Sequence, residues 1–264
     1  MRNKSLSKPQ KALLLVGLLV LGILLAKWHV AYHSGVPIIA YHEVAEHDPS
    51  DLEEDYRISP SEFTEQLAYL KAAGYHTVSL HEVAEAQAGR GTLPDKPIVL
   101  SFDDGYANNY TAALPLMEQQ GFRGTVFVIV NSIGQEEYLT WDQIKDMQQR
   151  GIEIGSHTLN HVALAETPLP QKQQEIAGSK AALEAKLGRP VEFLAYPFGS
   201  YDQESFALLK EAGYRGACSG VSGYWLAGDE PYRLKRVNMH RPRWGLLEFK
   251  LRLWKACFVT PFTG

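Results

Sequence analysis

From residue 36 onward, short runs rich in β-branched and aromatic residues alternate with segments of helical periodicity, and that alternation leaves the chain few folds to choose from. The runs lie at 36–41, 76–80, 98–102, 125–130, 152–154, 192–196, 216–219 and 234–239. Strands separated by helices pair in parallel through right-handed crossovers, so the class is α/β. About seven to eight mostly parallel strands in roughly 220 residues suit a distorted (β/α) barrel better than an open sheet.

The intervening segments carry their own start and stop signals. Ser59, Pro60 and Glu62 form a capping box with proline at the first helical position, Phe63, Leu67 and Leu70 recur on one face, and Gly74 ends the helix. Thr140 and Gln143 open another helix that stops at Gly151, and a third, 171–187, carries Ile176, Leu183 and Leu187 on one face before Gly188. The stretch 43–57 is acidic and loop-like, too short to separate domains. With no internal repeat or low-complexity linker, residues 36–264 read as one domain.

The amino terminus is different. Residues 12–26 contain no charged or strongly polar side chain and follow Arg2, Lys4, Lys8 and Lys11. Lys27 can snorkel and Trp28 and Tyr32 suit an interface, which extends the segment to 12–32, one transmembrane helix of about 20 residues. Positive charge ahead of it keeps 1–11 as a short cytoplasmic basic segment and directs the rest outside. No small-residue cleavage pattern stands out after Leu25, so an uncleaved, single-pass signal anchor in the cell membrane is preferred to secretion after signal-peptide cleavage. Without the five basic residues of this region, 21 basic residues face 30 acidic ones, a balance that argues against nucleic acid as a partner. Cys218 and Cys257 are too few and too far apart for a zinc knuckle, and no bridge between them is expected.

Reactive residues fall where the strands end. His42 follows the first run, Asp103 and Asp104 the third, His157 the fifth, and 196–198 close the sixth. In parallel barrels those carboxyl ends form one rim. Two adjacent carboxylates cannot share one packing partner and are seldom buried without a cation. A divalent ion resolves this, since it binds one carboxylate and leaves the other free to accept a proton. His157 and His161, four apart as on a helical turn, can hold the same ion and leave it open positions. A tight turn would explain Asp and Gly at this place, but not two carboxylates on a rim shared with histidines.

The motifs SFDDGY (101–106), GSHTLNH (155–161) and LAYPFGSY (194–201), in that order, resemble the polysaccharide deacetylases of carbohydrate esterase family 4, the nodulation-type deacetylase homology domain, over about residues 36–240. IIAYHEV at 38–44 is nearest the branch with an early Tyr-His-Glu motif, as in poly-N-acetylglucosamine deacetylases. The resemblance implies an extracytoplasmic, cell-wall-directed hydrolase that removes N-acetyl groups from a GlcNAc-containing polysaccharide: peptidoglycan, a chitin-like polymer or poly-N-acetylglucosamine. An O-acetyl esterase acting on a polymer such as acetylxylan, or a non-catalytic glycan-binding relative, is the alternative. Carried over residue by residue, Asp104, His157 and His161 would bind the metal, Zn2+ first and Co2+, Ni2+ or Mn2+ otherwise. Asp103 would be the general base, the Phe198 backbone N–H an oxyanion donor and His42 the general acid, with His240 in the altered late motif VNMHR as the other candidate.

One departure stands out. The family's third motif carries an arginine two residues before the proline, where this chain has Ala195, and Arg236 in LKRV is the candidate that orients the base instead. Tyr106 and Tyr196 are candidate sugar contacts. The amphipathic run 244–258 is read as a terminal helix that closes the barrel, with membrane contact as the other option, and the oligomeric state is left open.

Overall fold

The computed structural model describes residues 7–48 and 54–260. Arg2 and Lys4 of the basic segment, the middle of the acidic stretch and the last four residues lie outside the described residues. The chain runs α1 (Lys8–Ser34), β1 (Ile38–Tyr41), β2 (Glu43–Val44), β3 (Arg57–Ile58), α2 (Pro60–Ala72), β4 (His76–Thr77), α3 (Leu80–Gln87), β5 (Pro97–Phe102), α4 (Leu114–Gln119) and β6 (Thr125–Val128). It continues α5 (Trp141–Gln149), β7 (Glu153–Ser156), α6 (Leu169–Gln173), α7 (Ser179–Leu187), β8 (Phe193–Ala195), α8 (Gln203–Glu211), β9 (Gly216–Ser222), β10 (Leu234–Asn238) and α9 (Gly245–Val259).

Every expected strand is present, and seven close a ring. β1 pairs in parallel with both β10 and β5, which joins the ends of the order β1-β10-β9-β8-β7-β6-β5. The eighth, β4, stands outside it. β4 pairs with Pro97 and Ile98 at the start of β5, whereas β6 pairs with Ser101 and Phe102 at its end. The reason is a helix start inside the expected run 76–80. Ser79 and Glu82 form a capping box, so the chain leaves the sheet after Thr77 and α3 turns under the barrel. There Leu80 and Val83 pack into the barrel's interior cluster, and the Glu153 carboxylate accepts the Leu80 and His81 backbone N–H groups at 2.8 and 3.1 Å.

Side chains on each strand divide with period two. Ile39, Tyr41, Leu100, Phe102, Val126 and Val128 join the layer that also holds Leu67, Leu114 and Met117 of the surrounding helices. Ile38, Val99, Phe127, Phe193, Cys218 and Leu234 form a separate cluster inside the ring. The inner rows continue upward to polar residues: Val99 and Ser101 lead to Asp103, Glu153 and Gly155 to His157, and Leu234 to Arg236. Closure of the barrel therefore delivers charged and polar side chains from distant sequence positions to one end.

The two expected capping boxes are formed, with the Glu62 N–H on Ser59 Oγ at 3.2 Å and the Gln143 N–H on Thr140 Oγ1 at 3.3 Å. Gly188 ends α7 in the left-handed region. The helix expected at 171–187 starts at Leu169 and contains a π turn, Gln174–Gly178. Part of the acidic stretch is ordered by β2 against β3. α9 does close the barrel, with Phe249 and Leu253 buried against the helix layer. Both cysteines are free and buried, Cys218 in the inner cluster and Cys257 in the outer. α1 is long and apolar enough to cross a membrane, and no part of its most apolar stretch is buried in the fold.

The inner cluster is tight at Gly155, where an added Cβ would lie 2.4 Å from Phe127 Cδ1. Gly155→Ala should therefore lower stability by about 1–3 kcal/mol in chemical denaturation through overpacking. Adding Phe127→Leu to the same chain should recover part of that loss. Equal stability of the wild type and Gly155→Ala would contradict a filled interior.

Candidate active site

The doublet after β5 is split by the backbone. Asp103 continues the inner row and receives Arg236, whose Nη1 donates to Oδ1 at 2.7 Å while Nε donates to the Ser219 carbonyl at 3.1 Å. Both side chains are buried. Burial alone would push the Asp103 carboxyl upward, but the charges of Arg236 and His157 and the Arg236 hydrogen bond hold it well below the usual carboxylate range. Asp104 then takes φ = 70°, which turns it away from its neighbour and toward the histidines. Gly105 follows at φ = 79°, and a Cβ there would meet Val128 Cγ1 at 2.9 Å.

Asp104 Oδ1 lies 3.3 Å from Nε2 of both His157 and His161, and the three ligand atoms fall within 4.8 Å of one another. His157 Nδ1 donates to the Ala195 carbonyl at 2.7 Å, so the ring offers Nε2 toward Asp104. Oδ1 is buried without a hydrogen-bond partner among the described residues. Proximity without hydrogen-bond geometry, between an anionic oxygen and ring nitrogens, suits a shared cation, and the donor set fits a divalent metal. Burial lowers the His157 pKa, but the nearby Asp104 and Asp103 carboxylates outweigh it and leave the ring more basic than usual.

His157 and His161 do not meet on a helix. They flank a turn in which Thr158 and His161 adopt φ = 68° and 56°. The spacing of four brings them together, but through left-handed residues rather than helical periodicity. Glu175, buried in the π turn after α6, accepts the Leu159 and Asn160 N–H groups, each at 2.9 Å, and the Asn160 side-chain amide at 2.6 Å. Thr158 Oγ1 accepts the His161 N–H at 3.0 Å. Sequence reading missed Glu175, because a glutamate within a helical pattern looks like a solvated face.

The rim encloses a pocket of about 360 Å³ that brings His42, Asp103, Asp104, His157, His161, Arg236 and His240 together with Tyr196 and Phe198. A second π turn, Asn109–Ala113, secures the His42 side: Asn109 Nδ2 donates to the His42 carbonyl at 2.8 Å. Asn108 accepts the Val44 N–H at 3.1 Å and donates to Glu43 at 2.8 Å. The His42 ring stands 4.7 Å from Tyr56, which in turn stands 5.1 Å from His240. Tyr56 also lines the pocket and has no sequence motif to announce it. Burial lowers the pKa of His42 against the opposing pull of the two carboxylates, and burial followed by the Arg252 charge lowers that of His240.

Phe198 sits at φ = 57°, and its largely exposed ring lies 4.6 Å from His161. Tyr196 lines the pocket, although its hydroxyl donates to the Tyr232 carbonyl at 2.9 Å. Tyr106 is not brought to the pocket. Its ring stacks on Tyr138 with centroids 5.3 Å apart.

The polysaccharide deacetylase family model matches residues 90–217. A candidate polysaccharide deacetylase of Bacillus subtilis, YxkH, is 30% identical over 204 residues, which cover 77% of this chain and 71% of that protein. The Escherichia coli poly-β-1,6-N-acetyl-D-glucosamine N-deacetylase is 32% identical over 48% of this chain, and the match spans only 21% of that protein. The structure of the Streptococcus pyogenes deacetylase PplD in complex with acetate is similar with a TM-score of 0.77, at 25% identity over 84% of this chain and 99% of that one.

The clamp on the histidine turn can be tested directly. Glu175→Gln should speed amide exchange at Leu159 and Asn160 by about tenfold or more, the loss of a charge-assisted hydrogen bond, with the barrel strands unaffected. Unchanged protection at both amides would show that Glu175 does not hold the turn.

Proposed function

This chain belongs to the polysaccharide deacetylase family, and on that premise we propose that it is a metal-dependent, membrane-anchored N-deacetylase of a GlcNAc-containing polysaccharide, with poly-N-acetylglucosamine ahead of peptidoglycan and chitin-like polymers. The observation that carries this reading is the division of the carboxylate doublet, one member on a buried arginine and the other beside two histidines. The early Tyr-His-Glu segment and the named activity of the Escherichia coli relative support the choice of polymer.

Asp104, His157 and His161 would hold a divalent ion, zinc by preference, which supplies Lewis-acid polarisation of the acetyl carbonyl and acidifies the attacking water. The remaining chemistry falls to side chains and backbone. Asp103, kept ionised and aimed by Arg236, takes a proton from that water as its oxygen bonds to the carbonyl carbon. The Phe198 N–H donates to the oxygen that gains charge. His42 gives a proton to the amide nitrogen as the C–N bond breaks, and acetate and a free amine leave. His240 lies one aromatic ring away, behind Tyr56, and is the second candidate for that transfer. Exposed Phe198 offers an apolar face to a sugar ring, whereas Tyr196 is buried with its hydroxyl on the Tyr232 carbonyl and serves the pocket wall.

The test is acetate release over a panel of β-1,6- and β-1,4-linked GlcNAc oligomers, peptidoglycan fragments and acetylxylan oligomers, paired with metal analysis of the purified protein. GlcNAc oligomers should be the substrates, and release from acetylxylan alone would overturn the reading. Asp103→Asn should lower kcat by about 10²–10⁴-fold with metal retained. Arg236→Lys, which keeps the charge but loses the two-point hold, should lower kcat by about tenfold or more with little change in KM. His42→Ala should cost more turnover than His240→Ala, and the reverse ranking would transfer the proton-donor role to His240.

A further inference from the structure

α9 is apolar on two faces. Phe249, Leu253, Ala256 and Cys257 are buried against the body of the fold. Trp244, Leu247, Leu251, Trp254 and Phe258 form a second row, spaced by three and four residues, and are 43–70% exposed. A helix that only closes a barrel needs the first row and not the second. The outer row extends along about 21 Å of helix. Exposed Lys250 and Lys255 flank it, while Arg252 is held by Glu248, the one acid in the helix, and by the His240 carbonyl; acidic residues exceed basic ones over the rest of the domain.

The end of α1 packs beside this helix. Trp28 and Tyr32 of α1 line a hollow of about 660 Å³ together with Tyr69, Lys250 and Trp254. Trp28 Nε1 is buried there without a hydrogen-bond partner among the described residues. Aromatic rings at the exit of an apolar helix, with basic side chains next to them, have the composition of a membrane–water interface. Trp254 belongs both to that hollow and to the outer row of α9, which joins the row to the belt.

We infer that the outer row of α9 lies on the anionic lipid surface of the membrane that α1 crosses, with Trp254 and Phe258 entering the headgroup layer and Lys250 and Lys255 meeting lipid phosphates. This rests on the reading of α1 as a membrane span. The contact gives the barrel a second point of attachment and so restricts its rotation about the anchor. A single apolar helix leaves that rotation free, whereas two contacts fix the direction in which the pocket opens to a polymer.

The test uses the full chain in phosphatidylcholine vesicles with and without phosphatidylglycerol, carrying an environment-sensitive fluorophore at Leu251→Cys, at Leu19→Cys in α1, or at Glu136→Cys on the distant rim, with Cys218 and Cys257 buried and so protected from labelling. Doxyl-labelled lipid should quench the probes at Leu19 and Leu251, the latter about threefold or more above the level at Glu136. Lys250→Glu with Lys255→Glu should bring the Leu251 signal toward that of Glu136 in phosphatidylglycerol vesicles and leave Leu19 unchanged. Quenching at Leu19 but not at Leu251 overturns the inference while the anchor stands. A Leu251 probe shielded from water yet insensitive to doxyl lipid, in proportion to protein density, assigns the row to a second copy of the chain and overturns it too. Charge reversal without effect removes the anionic component, and an unquenched Leu19 probe defeats the anchor reading and this inference with it.

Discussion

Two ionised carboxylates on consecutive residues at the end of a buried strand are the constraint around which this molecule is arranged. Their mutual repulsion and the loss of water both oppose ionisation, and the fold answers each carboxylate separately. Asp103 remains on the inward row of β5 and pairs with a guanidinium that rises from the inward row of β10. Asp104 leaves the strand geometry through a left-handed residue and faces two imidazoles. Neither solution works without closure of the ring, because β1 must join β5 to β10 before Arg236 can come under Asp103. Topology and electrostatics are thus one problem here.

The same geometry explains how a family arginine can be missing. Ala195 ends the inward row of β8, and Arg236 lies on the inward row of β10, two strands away around the ring. Inside so narrow a barrel, a side chain as long as arginine can approach one carboxylate from more than one strand, so a small residue at 195 and a long one at 236 are complementary. Ala195 still contributes through its backbone, whose carbonyl fixes the tautomer of His157. A small residue in place of the arginine removes a side chain and keeps the hydrogen bond that turns His157 Nε2 toward Asp104.

The sequence made the strands, the rim and the reactive residues visible for a simple reason. Each depends on local patterns: β-branched runs, capping boxes, and polar residues just past a strand. What it concealed depends on distant partners. The run at 76–80 looks like any other strand, and only the plugging of the barrel floor by Leu80 and Val83 shows why it stays outside the ring. Histidines four apart suggested a helix, since spacing cannot distinguish a helical turn from one bent by Thr158 and His161 at positive φ. Glu175 and Asn109 lie in π turns, which leave no sequence signature, yet each ties a helix to a loop of the site. Tyr106 was misleading in the other direction: a tyrosine beside the doublet is close in sequence, but its ring turns to Tyr138.

Backbone strain links these observations. Among the described residues, Lys96, Asp104, Thr158, His161 and Phe198 are the non-glycine residues at positive φ, and all but Lys96 line or support the pocket. Each such residue costs on the order of 1–3 kcal/mol, so their concentration requires strong restraints nearby. The restraints are in place: a buried glutamate on two successive N–H groups of the histidine turn, a threonine hydroxyl on a third, and, at the turn that carries Phe198, Gly199, where an added Cβ would lie 3.0 Å from the Gly220 backbone nitrogen. A regular strand end would direct consecutive side chains to opposite faces and could not aim Asp103 and Asp104 into one pocket. The left-handed turns make that convergence possible, and the π turns and the filled interior hold them against relaxation. The rigidity of the lower barrel is therefore a condition for the chemistry at its rim.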